Sequence, residues 1–141
     1  MPRRLSFALS ILAAVLVAAT AALAGTHEDF LEGQSAIRAG QLDKAVVAYT
    51  RVIDAAQSGT AVDRKDLASA YNMRGMCHDA KNESELALAD YTKAIENDPK
   101  MAEAYGNRAM LYKKIGETDK AKADAAAARR IDYKVKVPTF Q

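Results

Sequence analysis

Two kinds of residue in this 141-residue chain could do chemistry: a cysteine next to a histidine, Cys77 and His78, and two arginine–aspartate pairs at one spacing, Arg74 with Asp90 and Arg108 with Asp124. A thiol beside an imidazole supplies the raw material of a nucleophile and its base. Consecutive helical residues, however, point about 100° apart and do not face one another. Cys77 and His78 therefore make a poor dyad, and a lone histidine of this kind is expected to be packed among core neighbours. The second histidine, His27, stands near the N-terminal end, far along the chain from both. The sequence contains no glycine-rich phosphate loop, paired-cysteine metal motif or nucleophile elbow. Neither catalysis nor a bound cofactor nor a metal is expected. The shared arginine–aspartate spacing fits a different task. An Arg on one helix and an Asp on the next helix of a hairpin would meet in a charge-assisted hydrogen bond. The alternative is two independent surface charges, which are common and weak.

The elements that must position these pairs follow from an internal repeat. Segment 68–101 aligns without gaps on segment 102–135, and the identities include Tyr71 with Tyr105, Arg74 with Arg108, Met76 with Met110, Asp90 with Asp124 and Asp98 with Asp132. An alanine-rich composition would align alanines but not these tyrosine, arginine, methionine and aspartate positions. Within each unit the pattern is helix, turn, helix. Ala104, Tyr105, Leu111, Tyr112 and Ile115 recur at helical spacing before Gly116, and Asn82 holds the place of Gly116 one unit earlier. Asp98–Pro99 reads as a helix N-cap and first-turn proline, and Thr118 as the cap of the next helix. Residues 60–67, between the first and second units, read as an early start to the following helix, with Asp63 as N-cap and Asp66 three places on.

Segment 1–24 differs in kind from the rest. Arg3 and Arg4 precede an apolar run from Leu5 to Ala22, and Ala22-Leu23-Ala24 offers small residues where a signal peptidase cuts. The expectation is a signal peptide over 1–24 and a periplasmic or secreted chain; an uncleaved membrane anchor is the minority reading. Removing that segment takes Arg3 and Arg4 from the 20 basic side chains and none from the 18 acidic ones, which leaves the two signs in balance. A neutral chain without a clustered cationic face is a poor match to nucleic acid, and no membrane contact is expected after cleavage. Cys77 is the single cysteine, so no internal disulfide can form.

The repeat resembles the tetratricopeptide repeat. The middle unit carries Tyr71, Arg74-Gly75, His78, Ala87, Tyr91, Ala94 and Pro99 at that family's signature places, and the last carries Tyr105, Arg108-Ala109, Tyr112, Ala121 and Ala128. The last unit departs at Ala125, where the family has an aromatic, and at Tyr133 in place of proline. A first unit over about 26–59 matches at Gly33, Gly40, Ala45, Tyr49 and Val52 and departs at Asp29. The resemblance implies an all-α fold of three stacked helix-turn-helix repeats (26–59, 68–101, 102–135) forming a short right-handed solenoid, followed by a short basic tail at 134–141. It further implies a concave groove lined by Phe30, Gln34 and Ile37, then Asn72, Met76 and Asp79, then Gly106, Met110 and Lys113, holding a protein or peptide partner. One subset of the family grips acidic C-terminal tails with a clamp of Lys, Asn and Arg. Here those places hold Phe30, Gln34, Met73, Glu103 and Asn107, so no such clamp is expected. The tail alternates and contains Pro138, so no extra solvating helix is expected. This leaves an uncapped last repeat through which a second copy could dock, the runner-up to a partner-binding role.

Overall fold

The computed structural model describes residue 20 and residues 23–140. The expected signal peptide lies almost wholly outside the described residues. Residues 23–38 form helix α1, which continues across the Ala24–Gly25 step where cleavage is expected. Five further helices follow: α2 (Leu42–Gln57), α3 (Arg64–Ala80), α4 (Ser84–Asn97), α5 (Ala102–Lys114) and α6 (Thr118–Ile131). There is no strand among the described residues. The helices pair as hairpins α1–α2, α3–α4 and α5–α6, and α3 touches both α2 and α5, so the hairpins stack in chain order.

Turn chemistry sets the hairpin geometry. Asn82 and Gly116 take left-handed backbone angles, φ 61° and 87°, after α3 and α5. The N–H of Glu83 then donates to the carbonyl of His78 at 2.9 Å, and that of Glu117 to Tyr112 at 2.8 Å. These bonds close the orphan carbonyls of the helix ends. The early start of α3 is as expected from Asp63, whose carboxylate accepts from the Lys65 N–H at 2.8 Å.

Two capping expectations are overturned. Asp98 ends α4 rather than starting α5. Its carboxylate accepts from Lys100 N–H at 3.0 Å and its carbonyl from Met101 N–H at 3.1 Å, so Asp98 to Met101 is a side-chain-closed turn and α5 begins at Ala102. Thr118 is already inside α6, behind Glu117, and no side chain caps that helix.

Packing inside the hairpins pairs small with large. Gly33 on α1 lies under the ring of Tyr49, where a Cβ would stand 2.7 Å from Cζ; Gly75 on α3 lies under Tyr91, where the ring would be 2.9 Å away. The third hairpin uses buried Ala109 and Ala125 at the same places. Tyr49, Val52, Ile53, Tyr71 and Cys77 form the centre of a core that runs from the first hairpin into the second. Tyr91 and Leu111 carry it toward the third.

The end of the stack is not bare, which corrects the expectation of an uncapped last repeat. Residues 135–140 turn back over α5 and α6, with Pro138 buried. The carbonyl of Lys136 lies 2.5 Å from where a Cβ on Gly106 would be, a contact only glycine permits.

Candidate partner-binding groove

The arginine–aspartate pairs fix each second helix against its first. Arg74 donates to both carboxylate oxygens of Asp90, at 2.8 and 2.7 Å, and Arg108 to both of Asp124, at 2.7 and 2.9 Å. The two aspartates are buried, and the forked geometry is the strong form of this bond. In both pairs the aspartate's hydrogen bond, more than its charge, holds the guanidinium even further above its ordinary range. A third member is not legible in the sequence. Arg74 also donates to Thr50 at 3.0 Å, and Arg108 to Thr92 at 2.9 Å. Each threonine belongs to the preceding repeat, so each lock ties a hairpin to its neighbour. Thr50 and Thr92 hold the same place in units 26–59 and 68–101, but each acts on the arginine of the following unit, so the spacing of residues within one unit does not reveal them. The first hairpin has its own exposed version: Arg51 on α2 pairs with Asp29, at 2.6 Å, and with Glu32 on α1. Asp29, the departure from the family pattern, thereby has a structural use.

Cys77 and His78 point to different surroundings. Cys77 is 1% exposed within the apolar core, and burial pushes its thiol up, away from a reactive thiolate. His78 is buried, and its Nδ1 lies 2.6 Å from the carboxylate of Glu83 in the turn before α4. That bond, with one from Lys81, holds the Glu83 carboxyl below its usual range. Among the described residues no group of three or more His, Cys, Asp and Glu side chains could hold a metal ion.

The nine residues expected to line the groove divide into three groups. Met76, Asp79 and Met110 come together, with Ala80, Asn82, Tyr91, Asn107 and Lys114, around an open cavity of about 390 Å³ between α3 and α5. Met76 is 40% exposed there. Across the mouth Lys114 reaches Asp79 at 3.0 Å and Asn82 at 3.1 Å. Phe30 and Gln34 line a larger, mostly apolar cavity of about 740 Å³ at the other end of the stack, with Leu23, Ala24, Leu31, Val52 and Val62.

The remaining four are corrections. Asn72 is buried at the α3–α5 seam, where its side-chain oxygen accepts from Asn107 at 3.0 Å. Ile37 packs against the core, serving the first hairpin rather than a ligand. Gly106 is buried under the tail, and Lys113 donates to the carbonyl of Thr139 at 2.6 Å. Periodicity places these four on the inner side of their helices. It does not show that Asn72 is taken up by the next repeat, Ile37 by its own hairpin, and Gly106 and the Lys113 ammonium by the tail. Of the clamp positions, Phe30 packs edge-to-face on Tyr49 and Glu103 is exposed; none of the five is cationic.

A stack of hairpins with Gly–Tyr packing, in register with an internal sequence repeat and open along one face, defines a helical-repeat protein. Tetratricopeptide repeat profiles match residues 68–101 and 90–123. The TPR2B domain of yeast Sti1, solved as a pHsp70 complex, is 30% identical with a TM-score of 0.69, over 79% of this chain and 82% of that one. The TPR domain of Arabidopsis OM64 superposes with a TM-score of 0.71 at 23% identity, over 82% of this chain and 88% of that one. The zebrafish (Danio rerio) protein unc-45 homolog B is 32% identical over 105 residues, 74% of this chain. The chain spans 11% of the length of that relative and 24% of another, zebrafish sperm-associated antigen 1A. The chain belongs to the tetratricopeptide repeat family.

Proposed function

We propose that this protein is an adaptor that holds a segment of another protein in the open face between α3 and α5. The observation that carries the reading is the cavity where Met76, Asp79 and Met110 meet across two repeats. Thioether side chains adapt to varied apolar shapes. The Asp79–Lys114 pair and the amide of Asn107 offer polar contacts that fix a backbone beside them. Similarity to the yeast Sti1 domain, itself solved as a complex, supports protein binding as the role. The absence of a cationic clamp separates the ligand from acidic C-terminal tails, and a free acidic C-terminal peptide is expected not to bind at micromolar concentration.

The role is binding rather than catalysis. The thiol of Cys77 is buried and shifted away from reactivity, and the neighbouring imidazole is engaged by Glu83. The compartment is exported, on the strength of the basic head and apolar run of residues 1–24; N-terminal sequencing of the protein made in cells should begin at Gly25.

The test of the binding role is affinity capture from the producing cell with the unchanged chain and with Met76→Glu/Met110→Glu. A partner retained by the first and lost by the second, with equal helicity by circular dichroism, supports the groove. Equal recovery by both would remove it.

A further inference from the structure

The third hairpin ends in the same turn as the second. Asp132 accepts from the N–H groups of Lys134, at 2.9 Å, and Val135, at 3.2 Å, as Asp98 does from Lys100 and Met101. After Asp98 the chain enters α5; after Asp132 it would enter a seventh helix, with Lys136 in the place of Ala102. It does not. Val135 and Val137 are β-branched, and Pro138 lacks a donor. The segment stays non-helical and lies where the next repeat would stack.

Its contacts are those of a bound peptide. The Lys136 carbonyl sits over Gly106, and Val135 Cγ2 lies 3.5 Å from the same point. Lys113 Nζ donates to the Thr139 carbonyl at 2.6 Å. The ring of Phe140 lies 5.7 Å from the ammonium group of Lys113 and 5.9 Å from that of Lys122. Val135, Val137 and Phe140 are half-buried and Pro138 is buried, while Lys136 and Thr139 are exposed. A cleft of about 290 Å³ remains beside Phe140, between Lys113, Thr118 and Lys122.

We propose that the α5–α6 face is a recognition site for an extended segment that alternates aliphatic and basic residues and ends in Pro-x-aromatic. Residues 135–140 are its resident internal ligand, and a partner protein carrying a segment of the same chemistry displaces them. The contacts to the segment's backbone and rings do not depend on its being joined to α6. Joining raises its effective concentration, so an outside segment competes only once the tail is loosened or the partner binds more tightly. The α5–α6 face is separate from the α3–α5 cavity, so binding at either can fail without the other.

The probe is a fluorescent peptide with the sequence of residues 134–140, titrated against three full-length chains. The unchanged chain should bind it weakly. Val137→Asp/Pro138→Gly/Phe140→Ala loosens the internal tail, leaves α5 and α6 untouched, and should bind at least about tenfold more tightly. Adding Gly106→Ala to that variant should abolish the gain, since its Cβ occupies the position of the carbonyl; helicity should persist because alanine favours helix. If the triple variant fails to fold, Phe140→Ala alone takes its place. Equal affinity for all chains, no binding by the loosened chain, or binding indifferent to Gly106→Ala would each overturn the proposal.

Discussion

The second and third hairpins carry the same lock and fill the space around it differently. Arg74–Asp90–Thr50 and Arg108–Asp124–Thr92 have matching geometry, with the shortest bond to aspartate at 2.7 Å in both and the longer at 2.8 Å in one and 2.9 Å in the other. Beside the lock the second hairpin sets Gly75 under Tyr91, whereas the third sets Ala109 near Ala125. The second is enclosed by a hairpin on each side. The third has a hairpin on one side and the extended tail on the other. Polar geometry is thus preserved between these two hairpins, while the apolar volume beside it differs. The first hairpin, at the opposite end, keeps the ring with Gly33 under Tyr49, so the alanine pair belongs to the end that the tail closes.

The sharpest way to break the likeness between the two locks is to remove one acid at a time. Asp90→Ala leaves the half-buried Arg74 without its carboxylate, and a loss of about 3 kcal/mol is expected in denaturant unfolding. Asp124→Ala, at the less enclosed end, should cost about 2 kcal/mol. Equal losses would show that neighbours do not matter to the lock. Next in size is Gly75→Ala. Its Cβ meets the Tyr91 ring at 2.9 Å and Asp90 Cβ at 3.2 Å, so overpacking should cost about 2 kcal/mol, less what alanine returns in helix propensity. Alanine is already native at the matching place, Ala109, and this contrast ties the cost to Tyr91; Gly75→Ala in a Tyr91→Ala background should lose its penalty. The smallest effect concerns the first hairpin. The Tyr49 hydroxyl is buried without a hydrogen-bond partner among the described residues, and burial pushes its pKa up to about 12. Tyr49→Phe should therefore leave stability unchanged or raise it by up to about 1 kcal/mol, seen as an equal or higher Tm.

Much of this architecture is legible in the sequence. The match of 68–101 to 102–135 implies the hairpins, and the spacing of Arg74 to Asp90 implies the lock because both members lie within one repeat. Thr50 and Thr92 stay hidden, since each acts across a repeat boundary and the spacing that reveals the lock lies within one repeat. Asp98 goes to the wrong helix because an Asp-Pro step fits both a cap and a side-chain-closed turn, and sequence does not separate them. Met76, Asp79 and Met110 emerge from position in the repeat. Gly106 and Lys113 read as part of an open groove because nothing local reveals that a tail beyond the next helix returns to cover the first and accept a hydrogen bond from the second. The tail's own alternation, Val135-Lys136-Val137, is the available signal; it marks an extended segment without saying where it rests.

The adaptor reading is tested most directly by photo-crosslinking in the producing cell, with a photoreactive amino acid placed in turn at Met76, at Met110 and at Leu86, which is exposed on α4 and does not line the α3–α5 cavity. One shared adduct is expected from positions 76 and 110 and none from 86. An adduct at 86 with none at 76 or 110 would contradict it.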